Sequence, residues 1–554
     1  MTQIEQIIRE CLESQNPVLD LSYQYPNTIT NYELKLLKEC THLISLDLSY
    51  NNGIDISFLP FLTNLTNLNL DETYPLDFSI LQSLTNLTHL SVSMYEYVFY
   101  SEITYDISPL QYLTNLTSLN LGVGQISDIS VLQYLTNLTS LNLSYTEISD
   151  ISALQYLTNL TSLDLDHEPI SDIFPLQYLT NLTSLNLNLW QSQVSDISAL
   201  QYLTDLTRLD LRGEFSDISA LQYLTNLTSL DLRGGQLSNI SALQYLTNLT
   251  DLNLGLTSTQ ISDISALQYL TNLTNLNLSN SQISDASTLQ YLTKLTRLDL
   301  EGTHQLSDIS ALQYLTNLTS LNLERNQISD IFALQFLINL RDLNLEANQI
   351  SDISALQYLT NLTSLNLESN QISHLFALQF LINLRDLNLE ANQISNISPL
   401  QSLTNLTSLN LFYTQISDIS ALQYLTNLTN LDLESNQISD ISALQYLTNL
   451  TILGLQGNQI SDISALQYLT NLTNLDLESN QISDISALQY LTNLTHLDLD
   501  NNKISNISLS WLNSLTGLSE LWLSGNPIQN IPEEIFNNKD NIPKMRDFLA
   551  GLEK

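Results

Sequence analysis

The chain has 554 residues, of which 43% are apolar and 13% charged, and this composition excludes an intrinsically disordered chain. Asp and Glu total 57 against 16 Lys and Arg, so the formal charge of −41 excludes non-specific binding to nucleic acid or to an anionic membrane. No apolar run approaches the roughly 18 residues of a membrane span, and two cysteines are too few for a disulfide scaffold.

The first segment, residues 1–42, predicts a helical N-terminal cap. Thr2-x-x-Glu5 has the pattern of a capping box, and Ile4, Ile7, Ile8 and Leu12 fall on one helical face. A degenerate strand is expected at 18–21 and a second helix near 32–40. The segment has neither the basic nor the continuous apolar region of a secretory signal, so we expect a cytoplasmic protein.

Residues 43–530 repeat one short unit. The pattern L-x-x-L-x-L-x-x-N opens at Leu362 and again at Leu384, 22 residues later, and about 22 such units follow one another. The alternation in Leu365-x-Leu367 predicts a short strand with its leucines buried. Between strands the apolar spacing lengthens to that of a 3₁₀ or helical turn. These features predict an α/β leucine-rich-repeat solenoid, a curved horseshoe with a parallel sheet on its concave face and short turns on its convex face.

Two recurring polar residues are interpreted as structural. An Asp before each turn is expected to cap free backbone N–H groups rather than bind calcium, as at Asp128, Asp150, Asp330, Asp440 and Asp484. Asn at the ninth place of the unit is expected to form an internal ladder with the backbone, as at Asn326, Asn348, Asn370, Asn392, Asn436, Asn458, Asn480 and Asn502. Upstream the ninth place is irregular and includes Thr146 and Glu168, so we predict a less regular and less stable N-terminal half.

The last segment, residues 531–554, predicts a helical C-terminal cap. Met545, Phe548, Leu549 and Leu552 form an apolar stripe after Pro543, suited to covering the last repeat.

The unit ISDISALQYLTNLTSLNL resembles the 22-residue repeats of internalins and of phosphatase-regulator leucine-rich-repeat proteins. That resemblance implies a scaffold that binds another protein. The ending from Gly525 to Ile535 resembles the junction where Roco-type proteins pass from their repeats into a GTPase domain. The sequence itself contains no G-x-x-x-x-G-K-[ST], so such a GTPase would belong to another chain.

The sequence offers no pattern for catalysis. The six histidines have no Cys or His at metal-ligand spacing, and H-E-x-x-H, G-x-S-x-G and G-x-G-x-x-G do not occur. We therefore expect no enzyme activity, no metal and no cofactor.

The seventh place of the unit, expected on the concave face, holds a column of acidic residues. Its members are Glu301, Glu324, Glu346, Glu368 and Glu390, and later Glu434 and Glu478. Neighbours about 5 Å apart lie within the Debye length, so such a column attracts a basic partner. The alternative is a solvated face that only keeps a long sheet soluble.

Two further groups are candidates on the same face. Arg208, Arg212, Arg233 and Arg297 stand beside aspartates, and they either neutralise those aspartates or form an anion subsite. Phe412, Tyr413 and Trp522 are candidate apolar anchors, with Ile452 between them, and an aromatic insertion at 95–100 is a candidate contact loop.

Together these features predict a monomeric, non-catalytic scaffold that binds a protein, most simply a basic one, through its acidic concave face. A sensor arm that works with a Roco-type GTPase, and a structural array without a ligand, are the alternatives. The sequence does not identify the partner.

Overall fold

A computed structural model describes residues 2–23, 29, 31–73, 76–93, 104–122, 125–126, 128–190, 192, 194–255, 260–536 and 542–552. The chain divides into two compact units, Met1–Asn277 and Leu278–Lys554.

The first unit begins with two helices, α1 (Gln3–Ser14) and α2 (Asn31–Leu37). Its strands are β1 (Val18–Asp20), β2 (Ser45–Asp47), β3 (Asn67–Asn69), β4 (His89–Ser91), β5 (Ser118–Asn120), β6 (Ser140–Asn142), β7 (Ser162–Asp164), β8 (Ser184–Asn186), β9 (Arg208–Asp210), β10 (Ser229–Asp231), β11 (Asp251–Asn253) and β12 (Asn275–Asn277).

The second unit continues the same pattern and ends in three helices, α3 (Leu509–Ser514), α4 (Glu533–Phe536) and α5 (Ile542–Leu552). Its strands are β13 (Arg297–Asp299), β14 (Ser320–Asn322), β15 (Asp342–Asn344), β16 (Ser364–Asn366), β17 (Asp386–Asn388), β18 (Ser408–Asn410), β19 (Asn430–Asp432), β20 (Ile452–Gly454), β21 (Asn474–Asp476), β22 (His496–Asp498) and β23 (Glu520–Trp522).

Within each unit every strand pairs in parallel with the next, and the central residues of paired strands face each other. Leu365 of β16, for example, stands opposite Leu343 of β15 and Leu387 of β17. The predicted alternation is confirmed, because Leu365 is buried while Ser364 and Asn366 on either side are partly exposed. The repeat period thus keeps all leucines on one face of the sheet.

Each coil buries one apolar layer against its neighbours, as a solenoid requires. In the coil that contains β16 the side chains exposed by 2% or less are Leu362, Leu365, Leu367, Ile372, Leu375, Leu378 and Leu381.

The turn that returns the chain to the next strand is a 3₁₀ helix, as at Ser486–Tyr490. The predicted capping is confirmed: Oδ1 of Asp484 accepts a 2.9 Å hydrogen bond from the Ser486 N–H. This bond lowers the pKa of the Asp484 carboxyl. Asn239 and Asn396 cap their turns in the same way, each at 2.9 Å, so the cap needs an oxygen acceptor but not a charge.

The predicted asparagine ladder is also confirmed. Nδ2 of Asn370 donates to the carbonyls of Leu345 at 2.9 Å and Leu367 at 3.1 Å, and its Oδ1 accepts from the Ile350 N–H at 3.0 Å. Each ladder residue therefore joins two coils through groups that are buried from water.

The two terminal segments are helical as expected. Thr2 caps α1 by accepting a 3.0 Å hydrogen bond from the Glu5 N–H. In α5, Met545 and Leu549 are buried, but the predicted stripe stops before Leu552, which is 61% exposed because it lies at the last turn of the helix. The boundaries at residues 42 and 530 remain predictions.

Candidate functional site

Within each unit, the third, fifth and seventh places of the repeat form a solvent-facing surface, here called the open sheet face. Strand β16 gives the rule, since its first and last residues are partly exposed around a buried leucine. Alternation along the strand directs such side chains to the face opposite the core. All fourteen residues that the sequence nominates lie in the described part of the chain, whereas the insertion at 95–100 lies outside it.

The five consecutive glutamates, here called the Glu column, are Glu301, Glu324, Glu346, Glu368 and Glu390. Four of these carboxylates accept a hydrogen bond from the asparagine at the fifth place of the next strand. The Nδ2···Oε2 hydrogen bonds are Asn344–Glu324 at 3.0 Å, Asn366–Glu346 at 3.0 Å, Asn388–Glu368 at 2.9 Å and Asn410–Glu390 at 2.8 Å. Oε1 of Glu346, Glu368 and Glu390 makes no hydrogen bond within the described residues. Each of these three carboxylates is therefore oriented by its asparagine, and its Oε1 can still accept a hydrogen bond from a partner.

The carboxylates of the Glu column repel one another. The pKa values of Glu301 and Glu346 are raised, first by partial burial and then by the charge of Glu324 between them. Arg325 offsets part of this charge at the start of the column: its guanidinium lies 3.4 Å from Glu301 Oε1 and 3.3 Å from Glu324 Oε1. Sequence reasoning missed Arg325, because it considered charged residues only at the third, fifth and seventh places and Arg325 stands at the eighth.

Aromatic side chains end the Glu column. Phe412 takes the seventh place after β18, and its ring centroid lies 6.2 Å from that of Tyr413. Tyr413 is 64% exposed and Phe412 partly exposed. Glu434 and Glu478 continue the acidic side chains beyond this pair, with Gln456 between them donating a hydrogen bond to Glu478.

A groove of about 420 Å³, here called the Gly454 groove, crosses strands β18 to β23 of the second unit. The lining contains four carboxylates, Asp432, Glu434, Asp476 and Asp498, together with Ile452, Gly454, His496 and Trp522. Burial raises the pKa values of all four carboxyl groups, those of Glu434 and Asp498 to about 7. The sequence signal for this groove was the single strand that has Ile and Gly where its neighbours have polar side chains.

The four nominated arginines do not behave alike. Arg233 pairs with Asp231 of its own repeat at 2.8 Å, and Arg212 pairs with Asp210. This contact raises the pKa of the Arg212 guanidinium further above its ordinary value. Arg208 is exposed on β9, while Arg297 belongs to the second unit. The geometry of Arg212 and Arg233 is that of cations that neutralise neighbouring aspartates.

A second, polar groove of about 810 Å³ was not anticipated. It runs along the residues just before β14 to β19 and is lined by asparagines, threonines and two arginines, Arg341 and Arg385. The sequence signal was L-R-D-L in two repeats that otherwise match the consensus. The aspartate that follows each arginine leaves no net positive charge there.

Among the described residues, neither a metal site nor a membrane-spanning helix is found. No group of three or more His, Cys, Asp and Glu side chains among them could hold a metal ion. Within the same part of the chain, no helix has the length and apolarity needed to cross a membrane.

The fold and the periodic open face define a leucine-rich-repeat solenoid, and comparison with known families agrees. The family described as "Leucine Rich repeats (2 copies)" matches residues 136–178, 271–314, 404–446 and 448–490. Two further families, both described as leucine rich repeat, match 316–372 and 470–528, and 39–55. Together the matches span just over half of the chain. A search of curated proteins returned no match.

Solved structures show which leucine-rich-repeat proteins this chain is similar to. An internalin of Listeria monocytogenes, InlF, is 41% identical over 52% of this chain and 85% of its own, with a TM-score of 0.51. A leucine-rich-repeat protein of Leptospira interrogans is 25% identical over 68% of this chain and 97% of its own, with a TM-score of 0.62. The Arabidopsis receptor kinase HAESA ectodomain, solved with a peptide hormone, shares the fold at 23% identity, 89% and 87% coverage and a TM-score of 0.60. The chain belongs to the internalin-like leucine-rich-repeat proteins.

Proposed function

We propose that this protein is a non-catalytic scaffold that binds a basic protein partner on the open sheet face of its second unit. The observation that carries the proposal is the Glu column, in which asparagines of the next strand orient successive carboxylates and leave oxygens free. Side chains that are already ordered lose less entropy on binding than flexible ones. A row of like charges also accelerates the approach of an oppositely charged protein.

Other features support the same proposal. A receptor ectodomain of this fold is known with a bound peptide hormone, so the fold can present a binding surface. Phe412, Tyr413 and Trp522 are the proposed apolar anchors. Arg208, which is exposed, is a separate proposed contact for an acidic group. Cys11 and Cys40 are buried and free, which fits the reducing conditions of the proposed cytoplasmic location.

The proposal is tested by capture of partners from a cell lysate. One variant replaces Glu324, Glu346, Glu368 and Glu390 by Gln, which removes four charges while each amide oxygen can still accept from its asparagine. A matched variant carries Asp→Asn at Asp330, Asp352, Asp440 and Asp462 of the turn caps. It loses the same charge on the other side of the coil, and Asn239 and Asn396 show that Asn caps these turns.

The expected result is a basic protein retained by the wild type and the cap variant and lost by the Glu column variant. Equal retention by all three forms would contradict the proposal. Capture of a nucleotide-dependent protein independent of the Glu column would favour the Roco-type sensor arm, and capture of nothing would favour the array without a ligand.

A further inference from the structure

One strand of the second unit departs from the composition of its neighbours. Strands β19 and β21 both have Asn at the third place and Asp at the fifth, whereas β20 has Ile452 and Gly454. A polar side chain is thus replaced by an apolar one, and a carboxylate by no side chain at all. The result is a gap in an otherwise continuous polar surface.

The gap at Gly454 is filled only by a neighbouring side chain that leans across it. A Cβ atom at position 454 would lie 2.5 Å from Oε1 of Glu434 and 3.0 Å from its Cγ. Glu434 therefore occupies its position because Gly454 has no side chain. The Gly454 groove is at the lower end of the volumes of ligand sites, and it is large enough for a side chain.

The groove concentrates negative charge, and the one basic side chain of its lining, His496, lies 3.9 Å from Glu520. Asp432, Glu434, Asp476 and Asp498 line it, and its lining includes neither Lys nor Arg. Elsewhere on the open face the chain supplies such cations, as where Arg325 meets Glu301 and Glu324. Burial and mutual repulsion disfavour the charged carboxylates in the groove, so an added cation relieves both effects.

The groove is also partly apolar. Ile452 is 45% exposed at its centre, and Trp522 closes its end at β23. An exposed aliphatic side chain and an indole ring within an acidic groove suit a ligand with an alkyl stem and a cationic head.

We propose that the Gly454 groove is the anchor site for a basic segment of the protein partner, and that it takes an arginine side chain beside an apolar residue. This inference rests on the proposed function and names the place and chemistry of recognition. The methylene stem covers Ile452, while the planar guanidinium pairs with the carboxylates beside it.

The test is fluorescence anisotropy of two labelled peptides at physiological salt. One is Gly-Ser-Arg-Leu-Arg-Leu-Arg-Ser-Gly, and the other has Ser in place of both Leu, so that their charges match. The protein is the full chain as wild type, Gly454→Asn, Gly454→Asp and Ile452→Ser. These substitutions introduce residues found at the same places of other repeats, and thermal melting checks that they fold.

Binding by charge alone and binding that needs an open groove predict opposite effects for Gly454→Asp. If charge alone matters, the added carboxylate tightens binding; if the groove matters, filling it weakens binding. We expect Gly454→Asn and Gly454→Asp to weaken the Arg-Leu peptide at least about tenfold, and Ile452→Ser to weaken it several-fold. A control, Ser118→Asn on β5 of the first unit, enlarges a side chain outside the groove and is expected to bind like the wild type.

Three results would overturn the inference. Wild-type affinity in both Gly454 variants, tighter binding by Gly454→Asp, or equal affinity of the wild type for the two peptides would each do so. If the peptide is lost from the Glu column variant and kept by the Gly454 variants, the groove is refuted while the proposed function stands. If the lysate experiment shows no dependence on the Glu column, the proposed function fails instead.

Discussion

Glu168 is a buried carboxylate at the place where most later repeats have the ladder asparagine. Its side chain is 0% exposed and accepts backbone hydrogen bonds from the Thr146 N–H at 2.6 Å and the Ile148 N–H at 2.5 Å. These bonds favour the ionised form, but burial outweighs them and raises the pKa of Glu168 to about 7 from an ordinary value of 4.5.

The sign of the resulting pH dependence follows from the raised pKa. The folded state binds the Glu168 proton more tightly than the unfolded state, so its stabilisation is complete below pH 4.5 and is lost as the pH rises through 7. A shift from 4.5 to about 7 corresponds to a loss of about 3 kcal/mol. Because the pI is about 4.1, measurement is practical from pH 5.5 to 7.5, where about 2 kcal/mol of this loss remains.

The perturbation is Glu168→Gln. Gln does not titrate, but its NH₂ group faces the N–H of Thr146 or Ile148 and cannot accept from it. The variant therefore loses about 1–3 kcal/mol of unfolding free energy, and this loss is the same at every pH. The difference in unfolding free energy, wild type minus variant, is therefore expected to fall by about 2 kcal/mol between pH 5.5 and 7.5. Urea denaturation at several pH values measures this difference, and exchange of the Thr146 and Ile148 amides locates it.

Asp150→Asn is the matched control, because Asp150 is an exposed turn cap two residues after Ile148 and Asn caps equivalent turns. Its free-energy difference from the wild type should stay nearly constant over the same range. A flat or rising difference for Glu168→Gln would refute the reasoning, since it would mean that the hydrogen bonds outweigh burial.

Two further predictions concern buried groups. Asn370→Ala leaves the Ile350 N–H without its acceptor, while the Leu345 carbonyl keeps its bond from Asn348, so urea denaturation should show a loss of roughly 1–3 kcal/mol. Asn370→Thr should lose less, because the Thr414 hydroxyl donates to the Leu411 carbonyl at an equivalent place, and equal losses would contradict this. Cys11 and Cys40 are buried, and burial raises the pKa of the Cys40 thiol to about 12. A thiol reagent at neutral pH should therefore label the native protein at least about 100-fold more slowly than the urea-unfolded protein. Similar rates would show that α1 opens readily.

The repeat period makes the backbone arrangement predictable. Any position that recurs every 22 residues has the same environment, so Leu365 could be assigned to the core and Asp484 to a cap from the pattern alone. The asparagine ladder follows by the same logic, since a polar side chain that always precedes a buried Ile needs backbone partners. Leu552 was predicted to be buried and is exposed, because this helix lies outside the repeat period and the periodic pattern does not fix which of its residues are covered.

Side-chain partnerships between repeats were not predictable. The pattern places Glu346 and Asn366 on the same face, but not whether the carboxylate meets its own strand or the next. Arg325 lies at the eighth place, where its backbone is left-handed with φ 54°. The repeat pattern does not predict that its guanidinium turns back to Glu301 and Glu324. The Gly454 groove depends on the absence of a side chain, which a consensus pattern treats as noise.

The Glu column and the Gly454 groove are acidic for different physical reasons. In the column, asparagine side chains donate hydrogen bonds to the carboxylates that water would otherwise donate. The carboxylates remain at the surface, where their charge acts over a Debye length. In the groove the carboxylates are more deeply buried, and two have pKa values near 7, so their charge is costly until a cation arrives. The column therefore favours encounter with a basic protein, whereas the groove favours retention of one side chain once contact is made.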